Sequence, residues 1–247
     1  PEMSRGLGDV YKRQLQDQAK ELVCENFYDN NKEIRIPLDP QKTARENSQK
    51  YFDKYGKLKR TSEALEVQLA ETKAQIDHLE SIQNSLNIAL SADDLVQIKE
   101  ELMEYGFIKK HKNGKKQKIK SKPFHYISSD GYDMYVGKNN YQNDELTFKF
   151  ATGNDWWFHA KKMPGSHVIV KNKGGEMPDR VFEEAGKLAG YYSSGRDSDK
   201  LEIDYLQKKN VKKPAGSAPG FVVYYTNYSL TIHPDISGLT LVESSNT

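Results

Sequence analysis

Apolar positions recur at three spacings along this chain, and each spacing predicts a different kind of element. In VCENFYDNNKEIRIPLDP, Val23, Glu25 and Phe27, and then Ile34, Ile36 and Leu38 against Glu33 and Arg35, alternate with period two. With turn chemistry at Asp29-Asn30-Asn31, this predicts a β-hairpin. Pro37 and Pro40 limit further strand, and Thr43 offers an N-cap to the helix that follows.

From Tyr51 the spacing changes to alternating fours and threes. Tyr51, Tyr55, Leu58, Ser62, Leu65, Leu69, Thr72, Ile76, Leu79, Gln83, Leu86 and Leu90 mark a coiled-coil seam with three polar interruptions. A helix from Ala44 to Leu90 is about 70 Å long at 1.5 Å per residue. Such a rod cannot bury its stripe alone. A second long helix, from outside this fragment or from another chain, is expected, and a plain homodimeric coiled coil is the simpler alternative. Ser91, in SADD, then caps a shorter helix with Leu95, Ile98 and Leu102 on one face, ending near Gly106.

Beyond Phe124 the pattern is one of short strands and turns. HYISSDGYDMYVGKN predicts a hairpin turning at Asp130-Gly131, and LTFKFA, WWFHA and SHVIVK read as further strands. Pro178 stands in the first turn of a helix through Tyr192, with Val181, Phe182, Ala185, Leu188, Ala189 and Tyr192 as its apolar face. LEIDYL is a strand, and PGFVVYYTNYSLTIHP a hairpin turning near Thr226-Asn227. The fold class expected is α+β: a long coiled-coil helix, then a mostly antiparallel sheet with one main packed helix. The segments expected are 1–14, set aside as a non-native scar; 15–42, the hairpin; 43–106, the coiled-coil middle; 107–123, a basic linker; and 124–247, a sheet domain.

Composition sharpens this organisation. Of the 247 residues, 36% are hydrophobic and 29% charged, a polar balance for one compact core but ordinary once a long solvated helix is included. Cys24 is the single cysteine, which excludes an internal disulfide framework and fits a reducing compartment. No stretch approaches a membrane span and no signal peptide is visible, so a soluble, cytoplasmic protein without a membrane partner is expected. The net charge of +2 hides a strong division. Residues 1–108 hold 15 Lys/Arg against 20 Asp/Glu, residues 109–122 hold 8 Lys and no acid, and the remainder holds 14 against 15. The lysine run, which includes Lys115 and Lys116, predicts an extended linker with salt-dependent affinity for nucleic acid; a merely solvated linker is the alternative.

The densest candidate chemistry lies in DWWFHAKKMPGSHVIVKNKGGEMPD. His159 and His167 are possible general bases or metal ligands that Asp155 could orient. Yet HExxH and CxxC spacings are absent, Ser166 has no GxSxG frame, and VGKNN lacks the P-loop pattern. No catalytic role, metal or cofactor is therefore expected. Alternation sends Trp156, Phe158, Val168 and Val170 to a core and places Trp157 and His159 on the opposite face. Rings that stack on bases, interleaved with cations that hold phosphates, are what RNA recognition requires. The RNA-binding set this chemistry leads one to expect is Trp157, His159, Lys161, Lys162, His167, Lys171, Lys173 and Arg180, with Lys115 and Lys116 of the linker. The competing reading makes these rings core and these histidines hydrogen-bonded strand-edge residues.

VGKNNYQNDELTFKFATGNDWWFHAKKMPGSHVIVK resembles the signature of the NFACT-R domain of the RqcH/NEMF ribosome-quality-control family, whose bacterial members are also called fibronectin-binding protein A-like. IRIPLDPQKTARENSQKYFDKYGKLKR resembles that family's entry into its coiled-coil segment. The resemblance covers roughly Glu21 to Val242. Its GxNNxxND pattern falls on Gly137, Asn139, Asn140, Asn143 and Asp144, and the resemblance thereby adds Lys138, Asn139, Asn140 and Asn143 to the expected RNA-binding set. The D-x-WFH pattern falls on Asp155, Trp157, Phe158 and His159, and PGSHV on Pro164 to Val168. The resemblance implies a non-catalytic RNA-binding domain, with large ribosomal subunits obstructed by peptidyl-tRNA as partners and alanyl-tRNA recruited for tailing of stalled chains. It also implies N-terminal domains and a first coiled-coil helix that are missing here, so the fragment alone is not expected to select a tRNA. Self-association through the exposed seam is a further expectation. Two rivals remain: a fibronectin-binding surface adhesin, and a nucleic-acid-processing enzyme dependent on His159 or His167.

Overall fold

The structure, a computed structural model, describes residues 19–109 and 121–242. Residues 1–14 and most of the lysine linker, Lys115 and Lys116 included, lie outside the described residues. The chain divides into two compact units at Lys73.

In the first unit, β1 (Glu21–Asn26) and β2 (Lys32–Pro37) pair antiparallel with Cys24 opposite Ile34, forming the expected hairpin. Its turn places Asn30 and Asn31 in the left-handed region, at φ 48° and 56°, a conformation asparagine tolerates better than most residues. Helix α1 (Ala44–Ile88) begins with a reciprocal cap: the Glu46 carboxylate accepts from Thr43 N–H at 2.8 Å, and Thr43 Oγ1 accepts from Glu46 N–H at 3.3 Å. Asn47 locks the corner before it, accepting from Asp39 N–H and donating to Asp39 and Lys42 carbonyls. Tyr51 donates to Pro37 O at 2.6 Å. The predicted seam stays uncovered by any described residue, with Leu69 69% exposed.

The second unit contains the end of α1, helix α2 (Ala92–Glu104) and a sheet of seven strands. These are β3 (Phe124–Ile127), β4 (Asp133–Val136), β5 (Trp156–Ala160), β6 (Val168–Val170), β7 (Leu201–Gln207), β8 (Tyr228–Ile232) and β9 (Thr240–Leu241), arranged β8-β7-β5-β6-β4-β3-β9 with every pairing antiparallel. The α+β class expected from the sequence is the one observed. A short helix α3 (Asn140–Glu145) follows β4, and α4 (Asp179–Tyr191) packs on one face of the sheet. Pro178 sits just before α4 rather than within it. Val181, Ala185, Leu188 and Ala189 of α4 are buried against Phe158, Val168, Val170 and Ile203. Gly186 and Gly190 let the helix lie close on β8: an added Cβ would approach Leu230 Cδ1 to 2.8 Å and Ile232 Cδ1 to 2.7 Å.

Three elements differ from expectation. LTFKFA is not a strand. The helix begun at Asn139 continues through a wide π-turn at Leu146–Phe150, in which Ala151 N–H reaches back to Leu146 O. The Phe221–Tyr225 stretch does not pair with β8. It touches Lys212 through one bridge at Val223 and crosses the sheet's second face. Helix α2 is capped by Ser91 as predicted, but its buried face is Asp94, Gln97, Ile98 and Glu101, while Leu95 is 45% exposed and Leu102 half-buried. Its polar side chains are needed to satisfy other buried polar groups.

Candidate nucleic-acid interface

The asparagine-rich turn after β4 is built inward. Asn139 caps α3, accepting from Gln142 N–H at 3.0 Å, and donates to Gln97 Oε1 at 2.8 Å. Asn140 donates to Ser81 Oγ at 2.8 Å and Glu101 Oε1 at 2.9 Å, and Gln142 donates to Gln97 Oε1 and Ser121 Oγ. Asn143 Oδ1 accepts from His167 N–H at 3.0 Å, joining the turn to β6. Gly137 is required there, because a Cβ would lie 2.2 Å from Asn143 Oδ1. Lys138 donates to Asp94 Oδ1 at 3.0 Å. Burial alone would raise the Asp94 carboxyl, but hydrogen bonds from Ser121, Leu90 N–H and Lys138 outweigh it and hold the group below the usual carboxylate range. Asn139, Asn140 and Asn143 are buried, so they hold the turn to α2 and β6 instead of presenting amides to solvent.

The histidine and tryptophan cluster is also enclosed. Alternation in β5 is as predicted, with Phe158 in the α4-side core and Trp157 on the other side. That other side is covered as well: Trp157 is 0% exposed, beneath Leu146, Phe148, Val211, Val222 and Tyr224. Its ring lies 5.6 Å from His159 and 5.1 Å from His167. His167 Nδ1 is 2.8 Å from Thr147 Oγ1. Burial pushes the half-buried His159 down to about 4 and His167 well below 6.5, so both are neutral at pH 7. Trp157, His159 and His167, expected as an exposed platform, instead form a packed layer beneath the Leu146–Phe150 turn and the Phe221–Tyr225 stretch.

The predicted cations are dispersed. Lys161 pairs with Glu202 at 3.2 Å, Lys171 with Asp155, and Arg180 Nε lies 3.8 Å from Glu184. Lys173 donates to Gly131 O, and Lys162 is exposed at φ 57°. Lys171 also belongs to a larger, partly exposed array. His125 stacks on Tyr135 at 4.5 Å and 4°, Phe150 stands edge-on to Tyr135 at 4.7 Å, and Lys171 Nζ lies 4.8 Å above Phe150. Lys208 lies 5.6 Å over Phe148. The adjoining stretch exposes Lys149, Lys209, Lys212, Phe221 and Tyr225, the last 87% exposed. Lys213 and Gly220 N–H both bind Asp144, anchoring this stretch to α3. The sequence signal for the array was KKNVKK preceding FVVYY, masked by a domain whose net charge is nearly zero. Among the described residues, no three His, Cys, Asp or Glu side chains gather as metal ligands.

Comparisons with known proteins place the chain in a family. Residues 7–121 match the family model described as NFACT N-terminal and middle domains, and residues 122–225 the model described as NFACT protein RNA binding domain. The chain is 39% identical to the Rqc2 homolog RqcH of Streptococcus pneumoniae over 96% of its own length and 42% of that relative. To the Bacillus subtilis Rqc2 homolog RqcH it is 35% identical, over 96% and 41%. The chain thus spans about two fifths of the length of these relatives. Among solved structures, the C-terminal part of the fibronectin/fibrinogen-binding protein of Streptococcus suis superposes with a TM-score of 0.69 at 41% identity, covering 77% of this chain and 76% of that one.

Proposed function

Because this chain belongs to the NFACT family that includes the RqcH ribosome quality-control proteins, we propose that its second unit binds RNA through the exposed array of Phe150, Lys149, Lys171, Lys208, Lys209, Lys212 and Phe221. The observation that carries this reading is that Lys171 lies over Phe150 and Lys208 over Phe148, with Lys149, Phe150, Lys209, Lys212 and Phe221 exposed to solvent nearby in the chain. Lysines hold phosphates without sequence preference, and exposed rings offer stacking surfaces to unpaired bases. Lys161, Lys162 and Lys173 add positive charge elsewhere on the unit, and the linker lysines Lys115 and Lys116 add charge of the same sign.

In the full-length protein this unit would serve attachment to the large ribosomal subunit obstructed by peptidyl-tRNA and support tRNA recruitment for alanine tailing, in the cytoplasm. The chain would act without catalysis, with tRNA choice supplied by the regions of the full-length relatives that it does not cover. The uncovered seam of α1 is the place where such domains, or a second copy, would add a helix. The name of the Streptococcus suis relative favours a second reading, fibronectin binding. Titration of a fluorescent single-stranded RNA and of fibronectin against the chain, across a salt series, separates them. RNA binding that weakens steeply with salt and drops about tenfold or more in the Lys208→Ala, Lys209→Ala, Lys212→Ala variant is expected; binding of fibronectin alone would overturn the RNA reading.

A further inference from the structure

On the other face of the sheet, the start of α4 and strands β5, β7 and β8 leave an open concavity of about 420 Å³. Its walls are aromatic. Phe182 stands edge-on to Trp156 at 4.8 Å and 79°, Tyr205 lies 5.2 Å from Phe182, and Tyr228 stacks on Tyr205 at 5.5 Å. Trp156, Phe182 and Tyr205 are half-buried and Tyr228 is 62% exposed, so the packed ring cluster keeps a side that meets water.

Two carboxylates, Asp179 and Glu183, complete the lining from α4. They stand four residues apart and so share one side of the helix. Neither forms an ion pair with another described residue, whereas the adjacent Glu184 lies against Arg180. No lysine, arginine or histidine lines the concavity. Burial above all, then the neighbouring Tyr228 and the Asp179 carboxylate, push the Tyr205 phenol up.

This chemistry selects among ligands. A phosphate backbone would meet two carboxylates without a counter-charge, and a wholly apolar chain would strip water from them without return. A cation gains from both components, since the ring faces and the carboxylates attract it together. A planar guanidinium gains most, because it stacks on rings while its edge donates to carboxylates. We propose that this concavity is a binding site for arginine side chains of a basic protein partner. It is independent of the RNA reading, since the lysine-bearing array and this site use opposite faces of the sheet and either can fail alone.

The test uses the whole chain and the peptide acetyl-Gly-Arg-Gly-Arg-Gly-amide, followed by the indole N–H signals in nitrogen-15 spectra. The chain has 2 tryptophans, so Trp156→Phe assigns both signals. The Trp156 signal should shift saturably while that of buried Trp157 stays in place, and the citrulline peptide, its neutral counterpart, should not bind. Asp179→Asn with Glu183→Gln should weaken binding about fivefold or more. Tyr228→Leu, outside α4, should also weaken it and guards against a helix-start effect of the first variant. The proposal is overturned if Trp156 does not respond at millimolar peptide, if citrulline binds equally, if neither variant changes affinity, or if a single-stranded oligouridine shifts Trp156 more readily than the peptide.

Discussion

The two faces of the seven-stranded sheet are both covered, but by different means. On one, α4 lays an apolar stripe on Phe158, Val168, Val170 and Ile203, drawn close by Gly186 and Gly190. On the other, a helix with a π-turn and a meandering stretch around Val211 to Tyr224 roof Trp157 and two neutral histidines. The first cover is one continuous periodic element. The second is assembled from irregular pieces whose outer surfaces carry lysines and rings. The comparison teaches that the side to which a residue points does not decide whether it reaches solvent. The most ligand-like residues in the sequence are enclosed, and exposed lysines and rings lie in the layer above them.

The sharpest way to break this comparison is to remove the roofed ring. Trp157→Ala should cost about 3–5 kcal/mol in denaturant unfolding, as expected for a core residue; a loss of RNA affinity at unchanged stability would restore the exposed-platform reading. Next in size, Lys208→Ala with Lys209→Ala and Lys212→Ala should weaken RNA binding about tenfold or more at low salt and reduce the salt slope by about two to three. The same variant should leave stability within about 0.5 kcal/mol per site. Asn139→Ala removes both a helix cap and a buried partner of Gln97. It should cost about 1–3 kcal/mol in the same unfolding assay while RNA affinity of the folded protein holds.

Acidification sharpens the comparison further. The folded-state values of His159 and His167 lie below their ordinary 6.5. The unfolded chain therefore binds more protons below that pH. Stability is full above about pH 6.5 and falls as pH drops toward about 4, a trend that His159→Gln should flatten in thermal melts. Smallest of all, Lys161→Ala removes only an exposed pair with Glu202. Its effect on stability should stay within about 0.5 kcal/mol.

Much of the architecture was readable from spacing. The hairpin of β1 and β2, the caps at Thr43 and Ser91, the turn at Gly131 and the apolar face of α4 all follow from local chemistry, and all are found. The failures share a physical cause. Leu146, Phe148 and Phe150 alternate like a strand, yet the helix begun at the Asn139 cap runs on through them. Phe221 to Tyr225 has strand composition, but Tyr224 donates to Asp204 and covers Trp157 instead of pairing with β8. The polar face of α2 could not be recognised as buried without knowing that Asn139, Asn140 and Gln142 meet it. Period reports direction within an element; partners distant in sequence decide burial.

Photo-crosslinking of the chain to a single-stranded RNA, with the crosslinked residues located by mass spectrometry, tests the central claim most directly. The account predicts crosslinks on the outer segments, at Phe148 to Phe150 and within Lys208 to Tyr225. Crosslinks concentrated on Trp157, His159 or His167 would contradict it.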